Sequence, residues 1–296
     1  MVITGMTYLT FIHHPLHSLA FISLILAFIS LWIHRSPWLW GSFIAVSCIF
    51  GIMGKLIDFK IFVALALLCT AHLALTSKLK GVPRLITILI AFFISISLMG
   101  HFFPGFHNWL IADKVQISKD AYPYTLYFNF DKPFIGFFPL ALTIPLLARM
   151  HLRSVVLKTI ALTALGVMIL MVLALYLHLV DIDLKLPGIT PIWLIANLFL
   201  VTIPEEAFFR GFLQREISDY LNSKWGGLFS VIVVSLLFAL LHFIFLRDLS
   251  YLSLTFIASL IYGSIYQMTR SIESSIFCHY LFNVVHFFCF TYPALK

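Results

Sequence analysis

The stretch PIWLIANLFLVTIPEEAFFRGF, Pro191–Phe212, places two adjacent glutamates and an arginine at the end of a long apolar run. An unbroken apolar run predicts a membrane-spanning helix, because only helices and closed barrels satisfy their backbone hydrogen bonds within lipid. A barrel strand would alternate polar and apolar residues with a period of two, which this run does not do. Charged residues within a span are costly, so those at the end of this run need an explanation.

The whole chain shares the composition of this stretch. Of its 296 residues, 61% are hydrophobic and only 10% are charged, and its mean hydropathy is +1.04. A soluble domain has about 25% charged residues, so lipid must solvate much of the surface of this protein. The same numbers exclude a disordered chain. We therefore predict an all-α, polytopic membrane helical bundle of about 8–10 transmembrane helices embedded in a lipid bilayer.

Apolar blocks of helical length recur along the chain and are candidate spans. The fifth and seventh blocks are short for a hydrocarbon core of about 30 Å. Short, proline-interrupted segments of membrane proteins often lie near functional sites. The ten blocks are Leu16–Ile33, Trp38–Met53, Ile61–Thr76, Leu85–Phe103, Pro133–Leu147, Thr159–Val180, Thr190–Ile203, Gly227–Phe245, Leu249–Met268 and Ile272–Tyr292.

Two regions interrupt the series of apolar blocks. Pro104–Lys132 is polar and aromatic, and its length suits a lid or an element at the membrane interface. Phe208–Asn222 has apolar residues at helical spacing. This periodicity predicts an amphipathic helix that lies at the membrane surface or packs on the bundle.

The net charge of +7 comes from basic residues that lie between the apolar blocks and form no patch. This distribution is typical of loops that face the cytoplasm and anionic lipid, and we expect no nucleic-acid partner. The four cysteines lie inside apolar blocks without CxxC spacing, so neither a disulfide framework nor a zinc ribbon is indicated. The first basic residue, Arg35, follows the first block, so we expect that block to be retained rather than cleaved as a signal peptide.

The glutamate pair stands out because the chain has only four glutamates. On a helix Glu206 and Arg210 share a face and can form an ion pair. Glu205 would then point about 100° away from that pair and be available for another task. A single ion pair that anchors the end of a span accounts for one glutamate but not for both. Pro204 suits the first turn of a new helix, or it kinks a continuous one.

The last blocks contain further polar side chains. His242 lies in SLLFALLHFIF, four residues after Phe238, and His279 and Asn283 share one stripe of CHYLFNVVHFF. Taken singly, each is explained by packing or by hydrogen bonds between helices. Taken with the glutamates, they are the groups needed to activate water and to stabilise an oxyanion.

Three motifs, EEAFFR (Glu205–Arg210), FALLH (Phe238–His242) and HYLFN (His279–Asn283), follow one another along the chain. They resemble the EExxxR, FxxxH and HxxxN motifs of the CAAX protease and bacteriocin-processing (Abi) family, which includes the type II CAAX prenyl endopeptidases. The resemblance implies a catalytic membrane domain at residues 186–292. We expect residues 1–185 to form transmembrane helices, and they carry no family motif.

The resemblance implies an intramembrane endopeptidase that hydrolyses a peptide bond of a membrane-associated protein or peptide. Glu205 resembles the general base that activates water, with His242 assisting. His279 and Asn283 resemble the pair that stabilises the oxyanion.

The remaining motif residues have supporting places in this assignment. Glu206 completes the catalytic set, and together with Arg210 it would hold the glutamate segment in position. Arg210 and Phe238 are assigned as supporting residues.

Metal dependence can be argued both ways from the sequence. Two histidines and a glutamate could ligate zinc. However, the HExxH spacing that places two ligands and a base on one helix is missing. The resemblance favours a glutamate-type mechanism without a catalytic metal, so we expect no cofactor, with zinc at the glutamate and histidine site as the alternative.

Two other function classes are compatible with intramembrane polar groups. A proton-coupled transporter uses such groups as an ion pathway. Transporter folds often have two related halves, and no internal repeat is seen in this sequence. A non-catalytic membrane scaffold or immunity protein could also keep the family fold. In each case we expect a multi-pass protein of the cell membrane, the bacterial cytoplasmic membrane being our expectation.

Overall fold

A computed structural model of the protein describes residues 11–147, 152–244 and 247–296. Within these residues the regular structure is helical apart from one two-stranded sheet, which confirms the all-α class. The elements are α1 (Pro15–Ile33), α2 (Pro37–Met53), α3 (Ile61–Thr76), α4 (Gly81–Met99), β1 (Trp109–Val115), β2 (Tyr124–Phe128), α5 (Pro133–Leu142), α6 (Leu152–Tyr176), α7 (Thr190–Leu221), α8 (Gly226–His242), α9 (Leu249–Thr269) and α10 (Ile272–Cys289).

The helices have the length and composition of a multi-pass membrane protein. In the described part of the chain, five helices are long and apolar enough to cross a membrane, namely α1, α4, α6, α7 and α9. Four more, α2, α3, α5 and α8, are apolar but only 10–17 residues long. Large apolar side chains such as Phe93, 62% exposed, lie on the outside of α4. Lipid solvates such a surface, whereas water does not.

Contacts between residues divide the described chain into two compact units. The first unit comprises residues 11–113, 125–144 and 188–207, and the second comprises the described residues of 114–124, 145–187 and 208–296. The boundary between residues 207 and 208 falls inside α7. The division at residue 185 drawn from the motifs rests on a different criterion and stays a prediction.

Helix α5 occupies the interior of the first unit. It contacts α1, α3, α4 and the turn Ile203–Glu206 of α7, and nine of its ten residues are buried. Arg35 Nε donates to the carbonyl of Ala141 at 3.2 Å and Arg35 Nη2 donates to that of Leu140, which satisfies the C-terminal end of the helix. A helix of ten residues is about 15 Å long, so the fifth predicted span does not cross the membrane as one helix.

The two strands lie in the segment that the sequence marked as a polar and aromatic loop. β1 and β2 form a sheet, most of which belongs to the first unit. Trp109 on β1 is 6% exposed, and its ring lies 5.9 Å from that of Phe128 on β2 and 6.1 Å from that of Phe21 on α1. Aromatic packing therefore attaches the sheet to α1, an arrangement that hydropathy did not predict.

Helices α6, α8, α9 and α10 belong to the second unit, in which α9 contacts each of the other three. Side chains cap two of these helices: Asp248 accepts from the Tyr251 N–H at 2.8 Å at the start of α9, and Ser271 accepts from the Ser274 N–H at 3.2 Å at the start of α10. Such caps satisfy backbone donors that have no partner within the helix. The N-termini of both helices are thus fixed by local sequence.

The C-terminal segment after α10 is bound to the loop before α7 and to residue 118. The Thr291 N–H donates to the Asp181 carbonyl at 2.9 Å, and the Tyr292 N–H donates to Ser118 Oγ at 3.0 Å. His286 Nε2 donates to the Thr291 carbonyl at 3.1 Å. This histidine, which matches no motif, therefore helps to hold the C-terminal segment.

Candidate active site

Helix α7 carries the glutamate pair and is irregular around it. A four-residue α-helical turn, Ile203–Glu206, is flanked by the π-helical segments Asn197–Thr202 and Ala207–Gln214. α-Helical ends, Thr190–Ala196 and Arg215–Leu221, complete α7. π-Helical turns are rare and occur frequently at functional sites.

The proline of this turn accounts for the irregular geometry. In a regular α-helix Pro204 would lack one hydrogen bond, and its ring would clash with the carbonyl of Leu200. The wider π-helical turn before Pro204 relieves that clash, so the helix continues instead of ending. The predicted end of the span at Ile203 is therefore wrong, and the segment Phe208–Asn222 is mostly a continuation of the same helix rather than a separate one.

Both glutamates of the motif are buried. Glu205 is 3% exposed and Glu206 is fully buried. Lys132 Nζ donates to Glu205 Oε1 at 2.5 Å, and its own side chain is only 16% exposed. A carboxylate inside a protein requires such a charged or hydrogen-bonding partner. Lys132 was not among the predicted site residues, although it directly precedes the short, proline-containing block Pro133–Leu147, and segments of that kind often lie near functional sites.

The helix that follows Lys132 lies against the glutamate turn. A Cβ atom added to Gly136 would lie 2.7 Å from the Pro204 carbonyl oxygen and 2.9 Å from its carbonyl carbon. Real Cβ atoms do not approach backbone atoms this closely. Glycine at position 136 therefore allows α5 to reach the backbone next to Glu205.

Arg210, the basic residue of the first motif, is fully buried in the second unit. Its Nη2 donates to Ser259 Oγ at 2.6 Å and to the Ser259 carbonyl at 3.2 Å. Its guanidinium carbon lies 4.9 Å from the ring centroid of Phe238 and 5.4 Å from that of Tyr262. Hydrogen bonds and cation–π contacts with α8 and α9 thus hold the start of the second half of α7.

The second motif is a local structure of α8. The rings of Phe238 and His242 stack with their centroids 4.2 Å apart and their planes 25° apart. His242 Nδ1 lies 2.8 Å from the Phe238 carbonyl oxygen. Since a carbonyl can only accept, Nδ1 is the donor, and in the neutral ring Nε2 carries the lone pair.

The third motif presents its histidine to the same aromatic ring. His279 is 6% exposed and stacks on Tyr262 at 4.6 Å, with 14° between the ring planes. Its ring also meets that of Phe238 edge-on at 6.1 Å. Asn283 lies one helical turn further along α10, on the same face as His279.

In the second unit, one residue of each motif meets the ring of Phe238, since Arg210, His242 and His279 all contact it. The glutamates lie in the last turn that belongs to the first unit. Sequence reasoning missed Ser259 and Tyr262, because a serine and a tyrosine on an apolar helix give no signal by themselves.

The described part of the chain covers residues 11–147, 152–244 and 247–296. Across those residues, no three side chains of His, Cys, Asp or Glu are grouped as the ligands of one metal ion would be.

Residues 187–285 match the family model described as Type II CAAX prenyl endopeptidase Rce1-like. The matched segment is about a third of the chain and contains all three motifs. It confirms the resemblance to the CAAX protease family over this range, and it supports protease activity of the intramembrane CAAX type in general. No curated protein and no solved structure matches the chain.

Proposed function

From the match of residues 187–285 to the CAAX prenyl endopeptidase family, we propose that the protein is an intramembrane endopeptidase with a glutamate-type mechanism. It hydrolyses a peptide bond of a membrane-associated protein or peptide. The observation that carries the mechanism is the fixed imidazole of His242, which donates from Nδ1 to the Phe238 carbonyl at 2.8 Å. A neutral histidine held in this way accepts a proton at Nε2.

In the proposed reaction Glu205 takes a proton from water while the water oxygen attacks the peptide carbonyl carbon. His242 assists this proton transfer through Nε2. The C–N bond then breaks, and the proton passes to the leaving amine. General acid–base catalysis of this kind contributes about 10²–10⁴-fold to the rate.

The carbonyl oxygen becomes negatively charged when water attacks, and His279 and Asn283 stabilise that charge by donating hydrogen bonds. Removing one such donor costs about 3–4 kcal/mol of transition-state stabilisation in other hydrolases. The stacking of His279 on Tyr262 supports this role because it fixes the plane of the imidazole. Glu206 and Arg210 hold the glutamate segment in position.

The experiment uses the purified protein in lipid vesicles with fluorogenic peptides that end in a CAAX sequence, prenylated and unprenylated. We expect the wild type to cleave at least one of them. Glu205→Gln and His242→Gln should lower kcat by about 10²-fold or more. Glu216→Gln is the matched control, since Glu216 is another buried glutamate of α7, 3% exposed, and should keep activity.

Full activity of folded Glu205→Gln would exclude the assignment of the base. If the wild type cleaves none of the peptides, a comparison of the membrane proteomes of wild-type and Glu205→Ala cells tests for an uncleaved precursor. Absence of any precursor would favour a non-catalytic scaffold, and ion flux in the vesicles would favour a transporter. The same strains test our proposal that the protein resides in the bacterial cytoplasmic membrane.

We also propose that catalysis needs no metal. Exhaustive chelation should leave the cleavage rate of the purified protein unchanged. Loss of cleavage on chelation, with recovery on addition of zinc, would establish the metal-dependent alternative instead.

A further inference from the structure

The ion pair between Lys132 and Glu205 joins two parts of the sequence that are 73 positions apart. Nζ and Oε1 are 2.5 Å apart, and the two side chains are 16% and 4% exposed. Charges interact more strongly in such a poorly solvated place than at the surface. Lys132 lies in the part of the chain that carries no family motif.

The backbone of Lys132 is also held, by a hydrogen bond to the side chain of Asp131. Its backbone N–H donates to Asp131 Oδ1 at 2.8 Å, and Asp131 Oδ2 lies 2.7 Å from His101 Nδ1. The Asp131 side chain is 1% exposed, whereas that of His101 is 39% exposed. The lysine is therefore anchored at its main chain while its ammonium reaches Glu205.

A second contact fixes the same two segments independently of charge. One turn after Lys132, Gly136 lies against the backbone of Pro204, where an added Cβ would come within 2.7 Å of the carbonyl oxygen. The start of α5 is thus held both by the ion pair with Glu205 and by backbone packing next to it. Two points of attachment define the direction of the lysine side chain better than either one alone.

Another lysine of the first unit forms an exposed ion pair that serves as a comparison. Lys60 also lies at the N-terminal end of a helix, and its Nζ is 3.7 Å from Asp58 Oδ2. Those side chains are 70% and 43% exposed. Exposed pairs of this kind contribute little to stability. The Lys132 pair differs from it in distance, in burial and in involving a motif glutamate.

We propose that Lys132 is the positioning residue of Glu205. Its ammonium holds Oε1 and balances the charge of the carboxylate, which fixes the direction of the other oxygen, Oε2. This inference rests on the proposed function, in which Glu205 takes a proton from water, and it assigns that step to Oε2. The motif-free part of the chain thereby contributes a residue that controls the general base.

The kinetic experiment compares Lys132→Met, Lys132→Arg and the control Lys60→Met in vesicles with the peptide that the wild type cleaves. Misplacing a catalytic group costs up to about 10²-fold, so kcat of Lys132→Met should fall roughly 10- to 100-fold with KM changed by less than about twofold. Lys132→Arg should restore most of kcat because it keeps the charge. Lys60→Met should match the wild type. An unchanged kcat of Lys132→Met, or no recovery with arginine, would overturn the proposal.

A second measurement does not depend on cleavage. Thermal unfolding of Lys132→Met, Glu205→Gln and the double variant reports whether the two groups are coupled. Lys132→Met should lower Tm because it leaves the Glu205 carboxylate without its ammonium, and adding Glu205→Gln should raise Tm again. Additive effects would show that no such pair exists. If the wild type cleaves no peptide and Glu205→Ala cells accumulate no precursor, the proposed function and the positioning role fail together. If the wild type cleaves and Lys132→Met keeps its kcat, only the positioning role fails.

Discussion

His242 takes both the plane of its ring and its hydrogen-bonded nitrogen from one residue, Phe238, which stacks on it at 4.2 Å and accepts from its Nδ1 at 2.8 Å. The i to i+4 spacing of the second motif is therefore the spacing of a hydrogen bond back to the preceding helical turn. The ring of the phenylalanine has a second function, since Arg210 lies over it at 4.9 Å. A substitution of the Phe238 side chain removes its ring contacts with His242 and Arg210 but keeps the backbone carbonyl that accepts from His242.

Phe238→Leu should keep the carbonyl acceptor and remove both ring contacts. We expect the free energy of unfolding to fall by about 1–2 kcal/mol, since stacking and cation–π contacts contribute about 0.5–2 kcal/mol each. Cleavage should fall because His242 loses its fixed plane. Kinetics and thermal unfolding in detergent check both effects. Phe229→Leu on the same helix, at a side chain 53% exposed, is the control and should change neither.

Ser259→Ala should remove the hydroxyl that accepts from Arg210 at 2.6 Å. A buried charged donor that loses an acceptor costs about 1–3 kcal/mol, so Tm should fall measurably. Ser264→Ala, at an exposed serine of the same helix, should change stability by less than about 0.5 kcal/mol. Equal Tm values for the two variants would contradict the structural role assigned to Arg210.

Gly136→Ala should force α5 away from the Pro204 backbone. Overpacking of this kind costs about 1–3 kcal/mol, and displacement of α5 should also lower cleavage. At Gly41, where an added Cβ has no neighbour within 4 Å, the same substitution should stabilise the protein by up to about 1 kcal/mol because alanine favours the helix. Tm values that shift in the same direction for both variants would argue against the close approach at Gly136.

The carboxylate of Asp183, which lies outside the membrane-spanning helices, should make the stability of the protein depend on pH. A hydrogen bond from Ser118, together with Lys185 Nζ at 3.2 Å, holds the pKa of Asp183 below its ordinary value of 3.8, against the opposing effect of burial. Because the pKa is lower in the folded protein, the stabilisation is complete above the ordinary value and is lost as the pH falls through the folded value.

Asp183→Asn should therefore lower Tm at neutral pH, and the difference from the wild type should shrink as the pH falls below about 4. The side chain is 37% exposed, so the effect should not exceed about 1 kcal/mol. Thermal unfolding across a pH series measures it, with Asp113→Asn at an exposed carboxylate as the control. A difference that grows on acidification would show that the sign is wrong.

Hydropathy predicted the helices well because each depends on a continuous apolar run. The third block, Ile61–Thr76, coincides with α3 at both ends. The fourth block was placed at Leu85–Phe103, whereas α4 runs from Gly81 to Met99, because helix ends depend on backbone geometry that hydropathy does not measure. The continuation of α7 beyond Pro204 was missed for the same reason, since a π-helical turn is a backbone solution to a proline.

The site residues could be predicted where they lie close together in the sequence. Phe238 and His242 lie one helical turn apart, and the motif located both. The contacts of Lys132 with Glu205 and of Arg210 with Ser259 join residues that are 73 and 49 positions apart. Such pairs depend on how helices pack, and one sequence contains no record of that packing. The catalytic assignment itself stays a prediction until the variants are measured.

Because Gly136 lets α5 pack on the backbone of Pro204, the motif-bearing segment depends on residues outside it. A fragment trimmed to residues 187–285 would keep every motif, yet it would lack both the ammonium that reaches Glu205 and the helix surface that covers the Pro204 backbone. Residues 187–285 therefore could not be transferred alone into another protein with the site intact. Grafting it into another membrane protein would require a short helix with a lysine before its first turn and a glycine one turn later.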